Sequence, residues 1–199
     1  TVRELEVQAY LNAGDSGRAV REGLASLRAF GVRIPERPGQ ASLYTEMMRT
    51  SRIVKDHPPE EQLDRPAITD PRRQAIMRIM TTMGPAAYVT GSNVFPMLVM
   101  RQVQLGWRHG NHPALVYAVA SYGLLISALG GDIAWASRFG RLAADLVDRL
   151  GSDQYRATAH MILSYFIDAW QNGFTQVCRD LAATYEIGLQ TGERQFAAH

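Results

Sequence analysis

The stretch GWRHGNHPAL, residues 106–115, decides how the whole chain is read. His109 and His112 stand three residues apart around Gly110 and ahead of Pro113. Such a pair is either a metal or acid–base site or the join between two helices. The join explains every residue. Gly110 takes the left-handed position that closes a helix, Asn111 or His112 caps the next one, and Pro113 begins it where a missing N–H is harmless. The histidines then lie on different helices across a turn, and no carboxylate or histidine cluster stands nearby in sequence to complete a chelate. This reading implies neither metal nor cofactor.

The same break recurs along the chain. Helix-ending glycines with a polar follower stand at Gly110-Asn111, Gly151-Ser152 and Gly192-Glu193, spaced 41 and 41. Inner turns fall at Gly91 (TGSN), Asp132 (GGD) and Gly173 (NGF), again spaced 41 and 41. A second match links Gly14, Asp15, Ala19, Arg21 and Gly23 to Gly131, Asp132, Ala136, Arg138 and Gly140, displaced by 117 residues or about three periods. Evenly recurring pairs of helices are the signature of an α-solenoid. The expected fold is therefore all-α, a superhelix of antiparallel helix pairs with a period of about 41 residues.

Helices are expected near residues 1–12, 15–30, 40–55, 71–89, 93–109, 113–129, 132–150, 154–171 and 174–191. They group as one helical-repeat domain over 1–199, with units near 1–31, 32–70, 71–110, 112–151 and 153–192. The 32–70 unit is degenerate, since the proline-rich GVRIPERPGQ and DHPPEEQLDRPAITDP interrupt its period. Asp15, Asp70 and Asp132 are placed to accept from orphan N–H groups at helix starts. Pro85, directly after Gly84, is expected to bend or interrupt its helix. Gly23 and Gly140 fall mid-helix, where glycine costs roughly 1 kcal/mol against alanine, so each marks a close crossing that Ala19, Ala136 and Ala143 extend. No segment carries a strand signal.

Composition narrows the function. The 199 residues are 46% hydrophobic, enough for a substantial core. Lys55 is the lone lysine among 21 basic residues, 19 acidic residues nearly balance them, and the formal net charge is +2. That is not the footprint of a nucleic-acid binder. The single Cys178 excludes an internal disulfide framework, fits a reducing cytoplasm, and reads as a small buried apolar residue. The apolar run PALVYAVASYGLLISALGG falls just under membrane-spanning length and reads as a core helix, so no membrane insertion is expected. The chain lacks an initiator methionine and begins and stops within helix patterns, which predicts a piece of a longer protein.

Candidate sites are few. Arg156, His160, Ser164 and Asp168 are spaced by four and would share one helix face. They include a serine, a histidine and a carboxylate, but residues stacked on one helix do not converge as a nucleophilic triad. Shifting back by 41 and by 82 places Ser127, Arg78 and Thr82 in register with them. The stripe Arg78, Thr82, Ser127, Arg156, His160, Ser164 and Asp168 then either lines a concave groove for a protein, a peptide or a sibling domain, or forms an ordinary solvated and intramolecularly bonded face. Arg141, Asp145 and Arg149 read as an exposed ion-pair ladder. The aromatics Tyr88, Phe95, Trp107, Tyr117, Tyr122, Trp135, Phe139, Tyr165, Phe166 and Trp170 read as core. Phosphate-loop, dinucleotide and kinase motifs are missing, and the segment is expected to be non-enzymatic. A second functional reading makes MGPAAYVTGSNVF the wall of a small-molecule pocket between hairpins.

Three stretches, DPRRQAIMRIMTTMGPAAY, RHGNHPALVYAVASYGLLI and GDIAWASRFGRLAADL, carry a resemblance. They are similar to the helical-repeat region of large bacterial signalling proteins that combine serine/threonine kinase, AAA/STAND ATPase, GAF and histidine kinase domains. The His-Gly-Asn-x-Pro turn and the following Tyr-Gly helix are its most specific part. The resemblance implies a tetratricopeptide-like, right-handed superhelix that serves a larger regulator as a scaffold, with no counterpart here of the family's kinase or ATPase motifs.

Overall fold

A computed structural model describes residues 2–170 and 172–193, and among them every regular element is helical. The helices are α1 (Val2–Asn12), α2 (Ser16–Ala29), α3 (Gln40–Asp56), α4 (Pro59–Gln62), α5 (Pro71–Val89), α6 (Val94–His109), α7 (Leu115–Ala128), α8 (Ile133–Leu150), α9 (Arg156–Met161) and α10 (Phe174–Thr191). Their bounds follow the sequence signals closely. The carboxylates of Asp15, Asp70 and Asp132 accept from the N–H groups of Arg18, Arg72 and Ala134 at 2.8–2.9 Å, each covering one orphan donor. At the other ends a recurrent Schellman pair closes α1, α2, α5, α7 and α8. Its longer bond runs from Asp15 N–H to Tyr10 O, Val32 to Leu27, Ser92 to Ala87, Gly131 to Ile126 and Ser152 to Val147.

The chain forms two compact units, one from residues 1–57 with 66–110 and the other from 58–65 with 111–199. In the first, α1 and α2 pack on each other and on α5, and α5 packs on α6. α3 stands between α2 and α5 in sequence but lies against α6. The shared core holds Leu27, Met77, Ile79, Met83, Leu98 and Trp107. α6 is tied on two sides by buried amides: Gln102 donates to Met77 O and Thr81 Oγ1 on α5, and Gln104 donates to Glu46 Oε1 and Thr50 Oγ1 on α3. The indole of Trp107 donates to His57 O at 2.8 Å, fixing the ends of α3 and α6 side by side.

In the second unit α7 packs on α8, and both meet the segment that follows. Phe139 is fully buried, with Tyr122 edge-on at 4.9 Å and Trp135 at 5.4 Å. Burial pushes the Tyr122 phenol up to about 12. The short α4 is held against α8, where Arg138 stacks on Trp135 and donates to Glu60, and Arg149 pairs with Asp64. Gly140 is the tight crossing expected of it: a Cβ there would collide with Leu163 and press on Ile167.

Several expectations are corrected. The helix expected over 154–171 is a 3-10 turn (Asp153–Tyr155), α9, a π-helical stretch (Ile162–Ile167) and a second 3-10 turn (Asp168–Trp170). α5 continues through Pro85 uninterrupted, because Met83, Ala86 and Ala87 are packed on either side. Gly110 has φ +110° and ψ −165°, a mirrored extended conformation and not the left-handed helical one. Any Cβ there would overlap the Pro66 carbonyl. α7 begins at Leu115, two residues after Pro113, and Asn111 does not cap it. Cys178 is exposed, as are Tyr88 and Tyr165 at 48% and 55%. The side chain of Trp170 lies outside the described residues. Arg149 turns to Asp64, so the ladder with Arg141 and Asp145 does not form.

Candidate functional site

The sequence stripe divides between the two units. In the first, Arg78 Nε pairs with Glu4 Oε2 at 3.3 Å, and Thr82 is half-buried on the same helix. In the second, Ser127 Oγ donates to Leu124 O and Phe166 O, bolting α7 to the π-helical stretch. Arg156 is taken up by Asp148 and Asp153 at 2.8 and 2.7 Å, which hold its guanidinium firmly protonated. Ser164 is buried, and no hydrogen bond joins His160 to Ser164 or Asp168, so these three residues do not assemble as a triad. Hydrogen bonds that reach five residues back in a π-helix break the four-residue register on which a shared face depends.

Two of these side chains have shifted protonation. Burial, reinforced by the Arg156 charge, holds the His160 imidazole below its ordinary value, against weaker pulls from Asp148, Asp180 and Glu193. Burial and the Asp180 carboxylate raise the Asp168 carboxyl, with Arg141 opposing. The N-terminus of α9 is closed from just beyond α10: Glu193 accepts from the N–H groups of Ala157 and Thr158 at 2.7 and 3.0 Å, and from the Thr158 and Thr191 hydroxyls.

The opening pair of histidines resolves in the same way. His109 ends α6 and His112 lies beyond the glycine, its Nδ1 accepting from Ala114 N–H at 3.1 Å. Asn111 between them carries the specific contacts. Its amide donates to the carbonyls of Gln62, Leu63 and Arg65 and accepts from Gln62 Nε2, so this one buried side chain anchors the 58–65 segment. Among the described residues no group of three His, Cys, Asp or Glu is placed to hold a metal ion, and no helix is long and apolar enough to cross a membrane. In the stretch marked for a pocket, Met83, Ala86, Ala87, Val94 and Phe95 are packed core, and the Met83 side chain fills the space over Gly23.

A site missed by the sequence reading lies on α3. Tyr44, Thr45, Met48, Arg49, Arg52 and Ile53, with Arg108 from the end of α6, line an open cleft of about 450 Å³. Tyr44 and Met48 are 61% and 38% exposed. Below them Glu46 is 3% exposed, with Arg101 Nε at 2.9 Å, Gln104 Nε2 at 2.6 Å and Arg49 at 3.4 Å. Arg49 is thus shared between the buried carboxylate and the cleft, whereas Arg52 and Arg108 are exposed and, among the described residues, engage no acid or acceptor. The only sequence-level signal was the repetition of Tyr44, Met48 and Arg52 at intervals of four on a helix that otherwise buries Glu46, Thr50 and Val54. Recognising it required knowing that α3 leaves the α1–α2–α5 stack and lies on α6. Comparison with protein-family models, curated protein sequences and solved structures finds no match in any of the three.

Proposed function

We propose that this chain is a non-catalytic helical scaffold that docks a protein partner or a sibling domain within a larger bacterial signalling regulator, in a reducing cytoplasm, and passes a sensed signal to its output. The observation that carries the reading is the α3 cleft, where two uncommitted guanidinium groups stand beside an exposed tyrosine and methionine. Tyr and Arg are the residue types that dominate binding energy at protein interfaces, and methionine adapts its shape to a partner surface. The resemblance of residues 70–88, 108–126 and 131–146 to scaffold regions of such regulators supports the same assignment. The spacing of Gly110, Gly151 and Gly192, and of Gly91, Asp132 and Gly173, supports reading the helix pairs as repeats of a right-handed, tetratricopeptide-like superhelix with a period of about 41 residues.

The test is photocrosslinking in the purified full-length protein, alone and with its co-purifying partners. A photoreactive residue at position 44 is compared with one at Leu129, an exposed apolar residue of the other unit. Position 44 is expected to give adducts mapping to one defined segment. Adducts no more frequent or specific than those at Leu129 overturn the reading.

A further inference from the structure

We infer that the α3 cleft accepts an acidic amphipathic helical segment of a partner protein, one that presents carboxylates to Arg52 and Arg108 and apolar side chains to Tyr44 and Met48. The inference rests on the docking reading above and names the partner's chemistry. Tyr44, Met48 and Arg52 follow at i, i+4 and i+8 on one helix, so they form a single row about 12 Å long. Thr45, Arg49 and Ile53 form a parallel row, and Arg108 closes the cationic end from α6. Along the first row the apolar Tyr44 and Met48 precede the cation Arg52, and Arg49 and Ile53 flank it in the second. An amphipathic helix laid along such a row reads it through anchors at the same helical spacing.

Charge selects the occupant. Among the described residues Arg52 and Arg108 have no carboxylate partner, and Lys55 adds a further exposed cation on α3. A planar guanidinium fork matches a carboxylate in a bidentate manner. Arg49 contacts the buried Glu46 through one guanidinium nitrogen at 3.4 Å while its side chain stays 46% exposed. A phosphate backbone would also suit guanidinium groups, but a nucleic-acid site needs a longer basic track than this. Here the cations adjoin Tyr44, Met48 and Ile53, a balanced peptide-sized surface on a chain whose net charge is only +2.

The experiment uses fluorescence anisotropy with three labelled helical peptides of about 18 residues, long enough to hold helical structure. All share one leucine stripe, flanked by glutamate, by glutamine or by lysine. The glutamate peptide is expected to bind at least about tenfold more tightly than the other two, and to weaken as salt is raised because the contacts are solvent-exposed. Arg52→Glu combined with Arg108→Glu is expected to abolish that preference, and Tyr44→Ala with Met48→Ala to weaken binding of the glutamate and glutamine peptides alike. Circular dichroism melts confirm folding, and Arg52→Gln with Arg108→Gln replaces the charge reversal if that variant melts early. Equal binding of the glutamine or lysine peptide through Tyr44 and Met48 overturns the acidic partner and leaves the docking reading standing. Tighter, arginine-dependent binding of polyuridylate RNA or phosphatidylserine vesicles overturns a protein occupant. Failure of every probe to bind up to about millimolar concentration, where only some 4 kcal/mol would be needed, overturns both.

Discussion

At Gly140 the cost of a helix-weakening residue is offset by how closely the π-helical stretch approaches, since Leu163 occupies the space where a Cβ would stand. Gly140→Leu is expected to lower unfolding free energy by about 1–3 kcal/mol through overpacking, read as a shift in urea midpoint at unchanged slope; a neutral result would mean the two segments part without cost. His160 gives a second expectation at this scale. Its imidazole titrates below the ordinary value of 6.5, so on acidification the unfolded chain takes up the proton before the folded one does. Stability is therefore unaffected well above pH 6.5 and falls as the pH drops from there toward the lowered folded value. His160→Gln is expected to flatten that part of the profile, measured by chemical denaturation across a pH series. Both residues were legible as special in the sequence, Gly140 from its mid-helix position and His160 from its placement among polar residues. The environment that shifts His160 was not, because its main cause is burial under the packing around α9, to which the Arg156 charge adds while Asp148, Asp180 and Glu193 oppose it.

Among the elements, the irregular helix 153–170 departs furthest from its periodicity. A helical pattern specifies which residues face the core but not whether the backbone reaches four or five residues back, and a π-helical stretch leaves that pattern almost unchanged. The break of register separates Ser164 from the face on which the sequence placed it with His160 and Asp168. The cap on this element comes from Glu193, just beyond the end of α10. Glu193 satisfies two orphan N–H groups of α9, so Glu193→Ala is expected to cost about 1–2 kcal/mol and to raise hydrogen exchange first at the Ala157 and Thr158 amides. Unchanged protection there would assign the capping role elsewhere. The 41-residue ladder located this glutamate as the polar follower of Gly192, yet its work lies some 35 residues back along the chain, a distance that no local rule reads.

For the whole molecule, the two compact units do not follow chain order, because residues 58–65 belong with 111–199. Asn111 to the Gln62–Arg65 carbonyls, Arg138 to Glu60 and Arg149 to Asp64 make that excursion part of the second unit. Replacing residues 58–65 by a glycine–serine linker is therefore expected to strip hydrogen-exchange protection from α8 while α2 and α5 keep theirs, and the reverse pattern would refute the assignment. Asn111→Ala is the milder form of the same test, leaving buried carbonyls without a donor at about 1–3 kcal/mol. The proline-rich stretches were readable as an interruption of the period. Their destination was not, since short polar contacts made by Asn111, Arg138 and Arg149 over dozens of residues leave no periodic trace.

The all-helical content, the aspartate caps of α2, α5 and α8 and the glycine turns after α5, α7 and α8 were legible in the sequence, because these depend on side chains within about one turn of one another: an aspartate before a helix, a glycine after it, apolar residues at spacings of three and four. Only the tertiary structure decided that α3 packs on α6, that α4 joins α8, and that Tyr44, Met48, Arg52 and Arg108 share one open cleft. Those outcomes turn on which buried faces complement one another across long separations. Such complementarity comes from packing and a few long-range polar bonds, which composition and period do not encode.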